Sequence, residues 1–260
     1  MAQGRVTVEF TNAIAWVTID NQAKRNAMSL VMWEELGRVL TGIGDEVRCL
    51  VLLGAGDKAF VAGADISEFE GQRRRPEDVA RYDAAADAAM ERLYNFPQPT
   101  VAMISGFCIG AGMALALCCD MRMADENSSF AIPAARLGVG YGAPNLKHLL
   151  DAVGVSIATD LMVSARRLSA QEAFRVGLLN QLHSSDDLRA EVGRYTAAIA
   201  RNAPLTMRAV KRSIKELARI SSSADLALSD QMMKACFASD DYREGIAAFM
   251  QKREPQFKGC

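Results

Sequence analysis

Ala59-Phe60-Val61-Ala62-Gly63-Ala64-Asp65-Ile66 and, further along the chain, Gly106-Phe107-Cys108-Ile109-Gly110-Ala111-Gly112 each follow a strand-like apolar run. Glycine and alanine at these points let a backbone come close to a bound group, so the two stretches together can aim two backbone N–H groups at one carbonyl oxygen. That arrangement is an oxyanion hole. No neighbouring side chain offers an obvious acid or base, and the chemistry predicted here therefore rests on backbone dipoles.

Outward from these stretches, strand and helix signals alternate. Ile14-Ala15-Trp16-Val17-Thr18-Ile19 is bulky and β-branched and ends at Asp20-Asn21, which predicts a buried strand entering a turn. Ser29 is placed to cap a helix in which Trp33, Leu36, Leu40 and Ile43 recur at helical spacing. A second strand, Cys49 to Leu53, stops at Gly54-Ala55-Gly56. A helix after Pro76 carries Val79, Tyr82, Ala86, Ala89 and Leu93 on one side, and Pro97 and Pro99 end it before a strand from Val101 to Ile104. The segment from about Gly110 to Cys119 is apolar all round and is predicted to be a central helix. The alternation specifies an α/β core. Past about Ser185 the strand signals stop, and three or four amphipathic helices run to the end, broken at Asn202-Ala203-Pro204 and Ser221-Ser222-Ser223. Their apolar surface needs a cover from the core or a second subunit, with Met232, Met233, Phe237, Ile246, Phe249 and Met250 expected buried. No internal repeat is evident in the residues.

Several functions are excluded. Gly54-Ala55-Gly56-Asp57-Lys58-Ala59 fits the Gly-x-Gly-x-x-Ala form of a dinucleotide loop, but the apolar run Phe60 to Ala64 continues where a helix should open, and Glu68 and Glu70 fall in a polar turn. Charge is nearly balanced, 30 basic against 31 acidic residues, and the one basic cluster, Arg73-Arg74-Arg75, reads as a solvated loop, so nucleic acid is not an expected partner. Six scattered cysteines and two histidines, His148 and His183, do not make an ordinary zinc site and suit buried thiols in a reducing compartment. No run approaches the ~18 apolar residues of a membrane helix, and the start of the chain lacks a leader pattern. A cytoplasmic protein without membrane contact is expected.

The two opening stretches, with Lys24-Arg25-Asn26-Ala27-Met28 before them and Ser239-Asp240-Asp241-Tyr242-Arg243-Glu244-Gly245 near the end, resemble the enoyl-CoA hydratase/isomerase (crotonase) family over nearly the whole length. The resemblance implies an α/β crotonase-like spiral of repeated β-β-α units with a C-terminal helical oligomerisation region. Residues 1–195 would form the spiral core with the coenzyme A and active sites, and residues 196–260 a helical trimerisation region of a trimer or dimer of trimers. It implies an acyl-CoA thioester as substrate, in fatty acid metabolism or a related route, with no cofactor beyond the coenzyme A of the substrate. The enolate-binding amides would be those of Ala64 and Ala111, the latter preceded by Gly110. Adenine would lie near Ala62, Asp65 and Ile66, and phosphates near Lys24 and Arg25 in the loop that contains Ala27. Phe249 and Lys252 would reach over from a neighbouring subunit.

Hydratases of the family use two glutamates, and the matching positions here hold Ala114 and Ala134, while Gly142 stands where some relatives carry an aspartate. Efficient enoyl-CoA hydration is therefore not expected. Ala135-Arg136-Leu137-Gly138-Val139-Gly140-Tyr141 is similar to the methylmalonyl-CoA decarboxylase branch, in which a tyrosine at the place of Tyr141 binds the departing carboxylate. Asp241-Tyr242-Arg243-Glu244-Gly245 and Lys252-Arg253-Glu254-Pro255-Gln256-Phe257 match it too. That branch carries a histidine at the place of Ala64 and a glutamate at that of Ala114. Three functions stay open: enolate chemistry on an acyl-CoA, decarboxylation of a malonyl-type thioester using Tyr141, and acyl-CoA binding without turnover. His148, Asn145, Glu68 and Asp120 are assigned no catalytic role, and Glu68 and Asp120 are expected to be structural.

Overall fold

The computed structural model of the chain describes residues 4–65, 76–219, 234, 237–253 and 255–256. Strands β1 (Arg5–Thr11) and β2 (Ile14–Asp20) form an antiparallel hairpin turned at Asn12 and Ala13, both at positive φ. With β3 (Cys49–Gly54), β5 (Thr100–Ile104), β7 (Met121–Asp125) and β10 (Gln181–His183) they make a six-stranded sheet ordered β1-β2-β3-β5-β7-β10, parallel from β2 onward. A second sheet holds β4 (Ala59–Val61), β6 (Phe107–Ile109), β8 (Ser129–Ala131) and β9 (Leu168–Ser169), in that order. The chain thus spirals. The pairs β3-β4, β5-β6 and β7-β8 each give their first strand to the large sheet and their second to the small one, and a helix follows the first two: α2 (Pro76–Tyr94) after β3-β4, and α3 (Ala111–Cys118) after β5-β6; at the end the order reverses, β9 joining the small sheet before β10 joins the large one. The opening turn differs, because β1 and β2 both join the large sheet before α1 (Leu30–Gly42).

β3 and β5 are apolar almost without a break because neighbours cover both faces of a parallel sheet. Ser29 caps α1 by accepting from the Met32 amide at 3.3 Å, and Trp33, Leu36 and Leu40 are buried at the predicted spacing, while Ile43 falls just past the helix end. On α2, Tyr82, Ala86, Ala89 and Leu93 are buried, and the Tyr82 ring meets Trp33 edge to face at 6.5 Å. Gly54-Ala55-Gly56 leads into β4 rather than a helix, as the argument against a dinucleotide loop requires.

The remaining helices are α4 (Ala134–Leu137), α5 (Ala143–Ser164, interrupted at Gly154), α6 (Ala170–Arg175), α7 (Leu188–Ala200), α8 (Pro204–Arg219) and α9 (Asp240–Met250). By its internal contacts the chain divides into one unit of residues 1–130 and 168–217, and another of residues 131–167 and 218–260. This division runs differently from the 195/196 boundary, because α7 and α8 as far as Leu217 belong to the first unit. Leu188 and Val192 of α7 join Trp16, Val51, Val101, Met103 and Met123, side chains of alternating strand positions on one face of the large sheet. Lys211 of α8 donates to the Gln98 carbonyl at 2.7 Å and pairs with Asp120 at 2.6 Å.

Within the second unit α4 and α9 touch backbone to backbone, since a Cβ on Gly245 would stand 2.3 Å from the Leu137 carbonyl oxygen. Glu244 takes both Arg253 guanidinium nitrogens, at 2.6 and 2.8 Å, and the Gln256 amide at 2.8 Å. The separate motifs at 135–141, 241–245 and 252–257 are therefore joined here in one packed unit, of which Glu254 and Phe257 lie outside the described residues. Met232 and Met233 also lie outside them. Phe249 and Met250, expected to be covered by the core or a second subunit, are 51% and 40% exposed in the single chain, because α9 turns Gly245 and Ala248 inward and these two outward. Among the described residues, no helix is long and apolar enough to cross a membrane.

The core carries the thiols Cys49, Cys108, Cys118 and Cys119, all buried and free. Burial pushes Cys49 and Cys118 up to about 12 and the other two further. Such a thiol stays protonated in the fold while the unfolded chain ionises near 9.0, so its contribution to stability is present below pH 9 and lost as pH rises toward 12. Lys215 acts in the opposite sense, since burial and then Lys211 lower it from 10.5 to about 8, a destabilisation relieved as pH climbs between those values. Scanning calorimetry is expected to show a shallow rise in melting temperature from about pH 8 to 9, then a steep fall as four thiols outweigh one amine. A flat profile above pH 9 would contradict the burial of the thiols.

Packing of α3 on β4 makes a second expectation. A Cβ on Gly112 would lie 2.2 Å from the Val61 carbonyl oxygen, whereas one on Gly193, inside α7, meets nothing within 4 Å. Gly112→Ala is expected to destabilise by about 1–3 kcal/mol, and Gly193→Ala to stabilise by about 0.5–1 kcal/mol, read as opposite shifts of the urea midpoint.

Candidate active site

The first part of the site grows from the loop after β2. A short 3-10 turn, Gln22–Lys24, is followed by Arg25 and Asn26 at positive φ, a conformation that buried hydrogen bonds hold in place. Asn26 is 1% exposed: its Oδ1 accepts from the Asn21 amide at 3.0 Å, and its Nδ2 donates to the carbonyls of Ala55 at 2.9 Å and Ala59 at 2.7 Å. The Asn21 side chain donates to the Ala27 carbonyl at 2.8 Å. The loop is thereby fixed to the β3–β4 connection. Asn26 was quoted in the sequence only as part of a motif, and nothing in its neighbours signals the partners that bury it.

From this anchor the chain reaches Met28, which pairs with Ala64 in an isolated parallel bridge: the Met28 amide donates to Gly63 at 2.9 Å and the Asp65 amide to the Met28 carbonyl at 2.8 Å. Extended backbone alternates its N–H directions, so the Ala64 amide points away from Met28. Lys24 Nζ meets Asp65 Oδ2 at 2.6 Å, and the Arg25 guanidinium lies 5.2 Å from the centre of the Phe107 ring, while its carbonyl accepts from Ala62 at 3.1 Å. Five of the residues expected at coenzyme A, Lys24, Arg25, Ala27, Ala62 and Asp65, are thus brought together, and Ile66 lies outside the described residues.

The second part is the start of α3. Gly110, at φ 53°, caps the helix, Ala111 is its first residue, and the first amide to bond back onto the cap is that of Ala114, to Gly110 at 3.0 Å. Gly63, at φ 124°, sits beside it: a Cβ on Gly110 would stand 3.9 Å from the Gly63 Cα, and one on Gly63 would stand 3.9 Å from the Ile109 carbonyl oxygen. The residues directly after these two glycines are Ala64 and Ala111. Neither of their amides donates a hydrogen bond among the described residues. Ala114, buried at 5% exposure, follows Ala111 by three positions and so shares its side of the helix.

The far end of α3 is closed. Arg122, nearly buried, donates to the carbonyls of Cys119 at 2.9 Å, Ala116 at 3.4 Å and Leu178 at 2.6 Å, placing a cation on the helix's negative pole. Burial lowers its pKa. Asp120 is structural, as expected: its Oδ2 accepts from the Thr100 amide at 2.8 Å and the Thr100 hydroxyl at 2.9 Å.

In the second unit, Ala134 opens α4 at 7% exposure, Gly138 ends that helix at φ 62°, and Tyr141 is half-buried just before α5. His148 lies on α5. Phe249 and Lys252 are exposed at the end of α9. Among the described residues, no three His, Cys, Asp or Glu side chains gather as a metal site.

The family model for enoyl-CoA hydratase/isomerase matches residues 9–260. A crotonyl-CoA hydratase from Syntrophomonas wolfei subsp. wolfei is 30% identical over 259 residues, covering 99% of each chain. An enoyl-CoA hydratase/carnithine racemase structure from Magnetospirillum magneticum is 33% identical, covers 98% of this chain and 96% of its own, and superposes with a TM-score of 0.80. A methylmalonyl-CoA decarboxylase structure complexed with 2S-carboxypropyl CoA is 28% identical, covers both chains fully, and superposes with a TM-score of 0.90. The spiral of β-β-α turns and the match along almost the entire sequence lead to one assignment: the chain belongs to the enoyl-CoA hydratase/isomerase family.

Proposed function

We propose that the amides of Ala64 and Ala111 form an oxyanion hole for the enolate of an acyl-CoA thioester, and that this protein reaches the enolate without a glutamate pair. The observation that carries the proposal is the approach of Gly63 to Gly110, with the next amide of each segment left without a partner among the described residues. The amide at the start of a helix also lies at its positive pole, where a developing oxyanion is favoured. One such donor is worth about 3 kcal/mol of transition-state stabilisation. Lys24, Arg25, Ala27, Ala62, Asp65 and Ile66 would hold the coenzyme A, with Gly110 lining the thioester.

Methyl groups at the hydratase positions, Ala114 and Ala134, supply no acid and no base, each of which is worth about 10²–10⁴-fold in rate. Decarboxylation does not need them. In a malonyl-type thioester the bond from the α carbon to the carboxylate breaks, its electron pair enters the thioester as the enolate, carbon dioxide departs, and a proton from solvent completes the product. Tyr141, matched to the decarboxylase tyrosine, would orient the departing carboxylate. The fold similarity to the decarboxylase complexed with 2S-carboxypropyl CoA is compatible with this reading, and the two alanines favour it over hydration.

Other copies of this chain are proposed to cover the C-terminal helices in a trimer or dimer of trimers, with Phe249 and Lys252 reaching a neighbour's coenzyme A. Leu205 and Ile214 of α8, 78% and 61% exposed, support this, as does Phe249. The buried free thiols favour a reducing, cytoplasmic setting.

Methylmalonyl-CoA is expected to release carbon dioxide, and Tyr141→Phe to slow that release by about tenfold or more, the weight of a hydrogen bond to a charged group. Crotonyl-CoA is expected to keep its enoyl absorbance, and fast loss of it would show that the two alanines have been misread. Micromolar acyl-CoA binding with no turnover across a panel of thioesters would mark a binding protein instead. The paired substitution Ala114→Glu with Ala134→Glu is expected to produce measurable hydration of crotonyl-CoA, and no gain would mean that the pocket is shaped otherwise.

A further inference from the structure

We infer that Tyr82 is a positioning residue for the Ala64 amide, acting through the carbonyl of Met28. Its hydroxyl donates to that carbonyl at 3.0 Å in a buried setting, and the same oxygen accepts from the Asp65 amide at 2.8 Å. One carbonyl therefore receives two donors, one from α2 and one from the residue immediately after Ala64. Among the described residues the bridge between Met28 and Ala64 is a single pair with no ladder beside it, so its register depends on what fixes Met28. Bonds to the β3–β4 connection and to Asp65 fix the approach to Met28: the Asn26 side chain and the Lys24–Asp65 pair hold the loop before it. Among the described residues, Tyr82, on a helix distant in sequence, alone donates from outside that loop and the 63–65 segment to the carbonyl at the bridge.

The tyrosine is itself held. It is 7% exposed, and its ring stands edge to face at 88° against Trp33 of α1, which is 2% exposed. Two helices thus press a hydroxyl onto a carbonyl that, with the Met28 amide on Gly63, sets where residues 63–65 lie. The amide of Ala64 points from that segment in the opposite direction. Rotation of the Met28 peptide would carry the Ala64 amide with it, and donors in an oxyanion hole act only when preorganised. The inference rests on the reading of Ala64 as an oxyanion donor and deepens it.

The experiment uses the full-length protein, Tyr82→Phe and Tyr82→Leu. The probes are coenzyme A, propionyl-CoA and 2-nitronate-propionyl-CoA, an analogue with a planar α carbon whose negative charge is delocalised onto the thioester oxygen as in an enolate. Wild type is expected to bind the nitronate more tightly than propionyl-CoA. Tyr82→Phe, which keeps the ring and removes the hydroxyl, is expected to lose about tenfold of that preference, because small misplacement of a charge-stabilising group is expensive in rate and binding, while its affinity for coenzyme A stays as in wild type. In difference infrared spectra the thioester carbonyl of bound propionyl-CoA, shifted to lower frequency in wild type, should move back toward its free position in Tyr82→Phe. Tyr82→Leu should show the same loss together with a lower melting temperature. If wild type prefers the nitronate and Tyr82→Phe retains both the preference and the shifted carbonyl, the positioning role is overturned and ring packing suffices. If wild type shows neither preference nor shift, the oxyanion reading itself fails, and this inference with it.

Discussion

Close approach of bare backbone is the constraint on which the structure depends. α3 lies so near β4 that Gly112 has no room for a methyl group beside the Val61 carbonyl, while Gly63 and Gly110, at φ 124° and 53°, hold backbone conformations that side chains rarely adopt. A side chain at Gly112 would push α3 away from β4, and with it the two segments that carry the candidate donors. The spiral makes this approach possible, because it sends the second strands of two successive turns to the small sheet, so β4 and β6 become neighbours although a long helix separates them in sequence. Glycine then determines how close they come.

The two ends of α3 are treated differently, and the difference has an electrostatic sense. At its C-terminus Arg122 closes the carbonyls of Ala116 and Cys119, so the negative pole is already satisfied inside the protein. At its N-terminus Gly110 has no side chain to cap the helix, and the amide of Ala111 is not engaged among the described residues. A helix with one pole neutralised and the other open presents its remaining partial charge to whatever binds at the open end. Placing the cation at the buried end also avoids a positive side chain competing with the amides for a bound anion.

Much of this was legible in the sequence. Alternating apolar runs and capping residues specified the strands and helices up to α3, since burial on both faces of a parallel sheet and a one-sided helix leave periodic signatures, as Cys49–Gly54 and Ser29 show. The spiral was legible only through family resemblance, because its turns share a backbone path and not side chains. The Met28–Ala64 bridge and the partners of Asn26 were not legible: a single residue pair has no period, and an asparagine in a turn has the same appearance whether it is solvated or buried. Nor was the outward orientation of Phe249 and Met250, because an apolar residue in an amphipathic helix does not say whether its cover comes from its own chain.

The methyl group of Ala114 stands on the same side of α3 as the unengaged amide of Ala111. A glutamate next to the oxyanion site would serve proton transfer, yet its negative charge would also oppose an enolate oxygen and any substrate carboxylate nearby. Replacing such a group by methyl surrenders general acid–base catalysis and removes that repulsion. For a reaction that starts by abstracting a proton, the exchange is a loss. For one that starts by expelling carbon dioxide, the negative charge arrives with the substrate, and an apolar wall beside two backbone donors strengthens the field those donors exert. The substitution that removes a hydratase's acid and base is therefore compatible with the proposed site, in which backbone amides would provide the stabilisation.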